Sequence, residues 1–113
     1  MQVLWTKDVA TMFDGEDKKA LASELLKRIP SFIENDYYRI KPVRLLAKEP
    51  YPIQELRVHV KKKDYRVAFA EKGEEKIVFY VDPILKKSIF EANCRKYVNK
   101  NKNYLAGAEL VKE

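Results

Sequence analysis

Between Ile53 and Ala70 the side chains change character at every second position, and no other feature of the chain limits its fold so tightly. Leu56, Val58 and Val60 point one way while Glu55, Arg57, His59 and Lys61 point the other. After the polar stretch Lys61 to Asp64 the alternation resumes, with Tyr65, Val67 and Phe69 on one face and Arg66, Ala68 and Ala70 on the other. A period of two is the signature of a half-buried strand. Two such runs separated by a short polar segment predict an antiparallel hairpin. Pairing Val60 with Tyr65, Val58 with Val67 and Leu56 with Phe69 gathers the apolar side chains on one face. That register sets His59 across from Arg66 and Arg57 across from Ala68. Gly73 marks the next turn, and the apolar run Lys76 to Val81 predicts a more central strand, ended by Asp82 and Pro83.

The flanking segments read as helices and one short strand. Gln2 to Trp5 is apolar enough for an edge strand. Asp14 offers a helix N-cap, with Glu16 and Asp17 where the helix dipole favours anions. Leu21, Leu25 and Ile29 recur at four-residue spacing opposite Lys18, Lys19, Glu24, Lys27 and Arg28, which predicts an amphipathic helix that Pro30 ends. Ser31 to Pro52, with Pro42, Pro50 and Pro52, reads as a second short helix with loops. Ser88 and Glu91 have capping-box spacing, so the last helix is expected to begin at Ser88 with Phe90, Cys94, Tyr97 and Val98 as its apolar stripe. Residues 101–113 turn polar around Tyr104, Leu105 and Ala106, which predicts a loosely packed or frayed tail.

Composition narrows the function classes. A chain of 113 residues suits one domain, here 1–113, and its 46% hydrophobic content excludes wholesale disorder. Lys and Arg number 23 against 17 Asp and Glu, a formal net charge of +6, which suits an anionic partner. One cysteine and one histidine exclude a disulfide framework and a zinc site of Cys and His ligands, so neither metal nor other cofactor is expected. No run approaches the roughly 18 to 20 apolar residues of a membrane span, and Met1 to Asp8 lacks a signal-peptide layout, which predicts a cytoplasmic chain with no membrane partner.

The polar face of the hairpin carries the chemistry. Arg57, His59 and Arg66 would stand over the small Ala68 and Ala70, leaving a shallow basic depression; the same pattern also fits a solvated sheet face. Arg66, on that face, is expected to contribute little to the core. Lys86 and Lys87 precede a predicted helix N-terminus, where cations are disfavoured but where free N–H groups and ammonium groups together suit a phosphate. Flanking arginines would favour a neutral His59 imidazole able to accept a proton. Tyr97 and Cys94 share the apolar stripe and read as core, and Glu74 and Glu75 as solubilising turn residues.

The order of helix, polar connection, three-stranded meander and C-terminal helix, with Glu55-Leu56-Arg57, Tyr65-Arg66-Val67 and Ile77 to Val81 followed by Lys86-Lys87, resembles the RelE/HigB-like toxins of bacterial toxin–antitoxin systems from about Trp5 to Tyr97. The resemblance implies a small α+β domain: a twisted antiparallel sheet, made of the meander and an N-terminal edge strand, packed with N-terminal helices and a C-terminal helix. It implies a metal-independent endoribonuclease that cleaves messenger RNA, usually on the ribosome, and that is neutralised by a cognate antitoxin. Carried over residue by residue, Arg66 contacts the scissile phosphate, Arg57 and His59 stand where the family has a lysine pair, and Lys87, with Lys86 beside it, supplies the transition-state cation. Lys61 and Arg95 complete the expected phosphate-binding set. The family's catalytic aromatic has no clean equivalent, Tyr97 being the nearest. Members of the same superfamily that inhibit DNA gyrase without cutting RNA supply the alternative, a ParE-like binding module.

Overall fold

In the computed structural model, which describes residues 1–113, the alternating segments form strands β3 (Ile53–Val60) and β4 (Lys63–Lys72) of one antiparallel hairpin. Its register is Leu56↔Val67, Val58↔Tyr65 and Val60↔Lys63, two residues away from the expected pairing. Lys61, at φ 59°, closes a tight turn with Lys62. Because side chains repeat every two residues, a slip of two leaves each one on its own face. Alternation therefore cannot choose between the two registers, and the turn decides. His59 consequently faces Asp64, and Arg57 faces Arg66.

Gly73, also at φ 59°, turns the chain into β5 (Glu75–Asp82), antiparallel to β4. An irregularity at Ala68/Phe69 pairs these residues with Tyr80 and Val78, leaving Phe79 as the extra residue. Phe79 and Tyr80 can then both pack with the cluster on one side of the sheet, while Val78 and Val81 join the other. Strand β1 (Gln2–Trp5) runs parallel to β5, but it is not an edge: β6 (Glu109–Leu110) covers its outer side. With β2 (Lys41–Pro42) beyond β3, the order is β2-β3-β4-β5-β1-β6, a six-stranded, mostly antiparallel sheet in an α+β domain.

The tail is packed rather than frayed. Val111 N–H donates to the Val3 carbonyl at 3.0 Å. The buried Tyr104 ring lies 4.8 Å from Phe79, and its hydroxyl donates to Glu49 at 2.8 Å. Burial and this bond push the Tyr104 hydroxyl pKa up.

Each sheet face carries a helix. After the short α1 (Lys7–Ala10), α2 (Gly15–Asn35) lays Leu21, Ala22, Leu25, Ile29 and Phe32 against Leu56, Val58, Val67 and Phe69. Asp14 is its N-cap residue, without a side-chain cap bond. Pro30 does not end this helix. An interior proline costs about 3 kcal/mol, whereas burying a side chain such as Ile29 or Phe32 stabilises by roughly 1.5–3 kcal/mol each, and these two flank Pro30 on the core side. Ser31 to Pro52 accordingly holds the end of α2 and two single 3₁₀ turns, Tyr37–Arg39 and Arg44–Leu46, in place of a second helix.

On the opposite face α3 (Lys87–Lys100) packs Phe90, Cys94 and Val98 over Ala68, Ala70 and Phe79. The two alanines are therefore buried helix seats and not an open floor. The helix starts one residue before Ser88 and has no side-chain cap. Glu91 is buried and accepts the Leu45 N–H at 3.2 Å, so a tertiary bond has taken the carboxylate a capping box would use. No helix is long and apolar enough to cross a membrane.

Candidate functional site

Where α3 stops covering its face, β2, β3 and β4 align charged residues in two rows across the strands. Lys41 pairs with Glu55, which pairs with Ala68; Arg57 pairs with Arg66, which pairs with Asp82. A cavity of about 320 Å³ opens here, lined by Phe32, Arg39, Lys41, Glu55, Arg57, Arg66 and Lys87. It presents five cations and one carboxylate.

That carboxylate is already committed. Arg66 Nη1 donates to both Glu55 oxygens, at 2.9 and 2.8 Å, and Arg66 Nε donates to the Leu85 carbonyl at 2.6 Å. The Glu55 side chain is 1% exposed and that of Arg66 15%. The guanidinium is thus fixed by two elements, and its Nη2 has no protein partner. Arg39, Lys41, Arg57 and Lys87 form no ion pair. Directly opposed like charges such as Arg57 and Arg66 destabilise a sheet by tenths to about 1 kcal/mol, so the cavity carries an uncompensated positive field that an oxyanion would relieve.

Lys87 reaches the site because the β5–α3 loop is held from below. Asp82 accepts from the Ile84 N–H at 2.9 Å, from the Tyr80 hydroxyl at 2.7 Å and from Asn93 at 3.2 Å. Burial, then the bond to Asp82, raises the Tyr80 pKa. Lys87 occupies the first position of α3, whose first turn has no acidic residue, so the positive helix end adds to the field.

Of the residues expected from sequence, Arg57, Arg66 and Lys87 share the cavity. His59 does not line it: at the hairpin end its Nδ1 lies 2.6 Å from Asp64 Oδ1, and its backbone N–H donates to Glu24 at 3.0 Å. Lys61 sits in the hairpin turn, Lys86 is the N-cap residue of α3 outside the lining, and Arg95 is exposed farther along that helix. Tyr97 is half-buried and donates to Asp8 at 2.7 Å, away from the cavity lining; burial, then that bond, pushes its pKa up to about 12. Burial likewise pushes the Cys94 thiol up to about 12. Arg66, expected to add little to the core, instead neutralises a buried carboxylate.

Three charged lining residues escaped the sequence reading. Glu55 looked like one more polar-face residue. Arg39 and Lys41 flank the buried Ile40, and that polar-apolar-polar triplet was the available signal for an extended segment beside the hairpin. No His, Cys, Asp and Glu side chains group in threes that could hold a metal ion. Comparison with protein-family models, curated proteins and solved structures finds no match to this chain.

Proposed function

We propose that this chain is the toxin of a toxin–antitoxin pair, an endoribonuclease that takes messenger RNA at the ribosome into the cavity at Arg57, Arg66 and Lys87 and is neutralised by its antitoxin. The observation that carries the reading is the unpaired cation set around a guanidinium held rigid by Glu55. The likeness of the Leu56-Arg57, Tyr65-Arg66 and Lys86-Lys87 segments to RelE/HigB-like toxins agrees with it.

Such a site needs no metal. The ribose 2′-OH attacks the adjacent phosphorus as its proton passes to solvent, the 5′-oxygen leaves and takes a proton from solvent, and the cations stabilise the charge of the pentacovalent phosphorane. Arg66, through its free Nη2, together with Arg57 and Lys87 would hold the phosphoryl oxygens. Removing one donor of this kind typically costs about 10²–10³ in rate. A second reading, a binding module that inhibits its target without cleavage, is favoured by one observation: the only carboxylate in the lining is engaged by Arg66, and His59 is outside it.

End-group analysis of RNA incubated with the purified protein, alone and with ribosomes, tests the proposal. Cleavage leaving a 2′,3′-cyclic phosphate or 3′-phosphate, and abolished by 2′-methoxy substitution at the cut site, is expected. Uncut RNA in both arms, together with growth arrest on expression, would transfer the assignment to the binding module.

A further inference from the structure

One wall of the cavity continues outward as a stack of flat groups. Past α2 the chain turns through Tyr37–Arg39, and the two consecutive tyrosines are 52% and 64% exposed. Tyr80, Tyr97 and Tyr104 each donate a hydroxyl bond to a carboxylate, but Tyr37 and Tyr38 have no such partner. The Arg39 guanidinium carbon lies 5.5 Å from the Phe32 ring centre and 5.4 Å from the Tyr38 ring centre. Phe32 and Arg39 both line the cavity. The series Phe32, Arg39, Tyr38 thus runs from the cavity wall to solvent, and its outermost member is an open aromatic ring.

Leaving such a ring exposed forgoes the stabilisation of burying it. Arg39 is likewise held by ring faces with no carboxylate partner, so its N–H donors stay free beside the cavity. The rim is cationic as well as aromatic: Arg39 and Lys41, which follow Tyr38 within three residues, both line the cavity. Aromatic faces interleaved with cations that track a backbone are the recurring pattern of single-stranded nucleic-acid grooves.

We propose that Tyr38 is a stacking platform for an unpaired nucleobase next to the phosphate held in the cavity, which makes single-stranded RNA the substrate class. The inference rests on the phosphate-binding reading of Arg57, Arg66 and Lys87. A base within a duplex already has both faces stacked, so an aromatic platform selects unpaired nucleotides.

The test uses a single-stranded 2′-O-methyl oligonucleotide, which cannot be cut, carrying one 2-aminopurine whose fluorescence falls on stacking. The full-length protein is expected to quench it and to bind the matching duplex more weakly. Tyr38→Ala should abolish most of the quench and weaken binding about tenfold, and Tyr38→Phe should restore both. Tyr38 is exposed, so thermal melts of these variants should match the parent. If Tyr38→Ala binds and quenches like the parent while Arg57→Ala and Lys87→Ala weaken binding, the platform is wrong and the phosphate site stands. If Tyr38→Ala alone has an effect, no phosphate is held at Arg57 and Lys87, and the platform beside that phosphate falls together with the phosphate site. Failure of the parent protein to bind the oligonucleotide at all overturns both and reassigns the exposed tyrosines to a protein partner.

Discussion

Removing Arg66 by itself should cost much more stability than removing Arg66 and Glu55 together. Arg66→Met leaves the Glu55 carboxylate, 1% exposed, with no cation. Breaking a buried pair from one side costs about 3–5 kcal/mol, whereas replacing both partners with apolar groups of similar volume is near neutral or stabilising. At roughly 4 °C per kcal/mol for a domain of this size, the single variant should melt about 12–20 °C below the parent. Glu55→Met should cost less, about 1–3 kcal/mol, because Arg66 borders the cavity and keeps its bond to the Leu85 carbonyl. The double variant should return to within about 1 kcal/mol of the parent, giving a coupling energy near 3 kcal/mol or more. Urea unfolding followed by circular dichroism measures all four corners of this cycle. Single-variant costs below about 1 kcal/mol that simply add would refute the view that this pair is a buried clamp orienting the guanidinium.

Arg57→Ala and Lys87→Ala should each lower RNA affinity and reduce the log–log salt slope by about one, with stability changed by no more than about 0.5 kcal/mol; unchanged slopes would remove both residues from the phosphate site. Pro30→Ala should stabilise the protein by about 1–3 kcal/mol by restoring an interior helix bond, and a lower melting temperature would show that the ring is needed where it packs. Cys94 should stay unreactive towards a thiol reagent at pH 8 until the protein unfolds. Since burial raises its pKa from 9.0 to about 12, its contribution is fully present below pH 9 and lost as pH rises towards 12. Stability that is flat over that window in a comparison with Cys94→Ala would contradict the burial argument.

Local pattern fixed the parts of this fold that depend on one segment at a time. The period of two placed β3 and β4, the four-residue spacing of Leu21, Leu25 and Ile29 placed α2, and Gly73 placed the turn before β5. For the same reason Arg57 and Arg66 could be assigned to one face, since parity survives a two-residue slip. Several features that depended on what a segment touches were beyond reach. Pro30 lies within a helix because Ile29 and Phe32 are buried around it, and Glu91 left its capping role for the Leu45 N–H. Ala68 and Ala70 read as an open floor because nothing in the sequence announces that α3 covers them.

The cavity shows the same division. Sequence could nominate Arg57, Arg66 and Lys87 by charge and position, and it nominated His59 on equal grounds. Only the register sent His59 to Asp64, and only the fold brought Arg39 and Lys41 beside Glu55 from more than ten residues away along the chain. The physical reason is that helix and strand periods are set by backbone geometry, which each residue carries with it. Burial, ion pairing and the field inside a cavity are sums over neighbours that exist only once distant segments have packed.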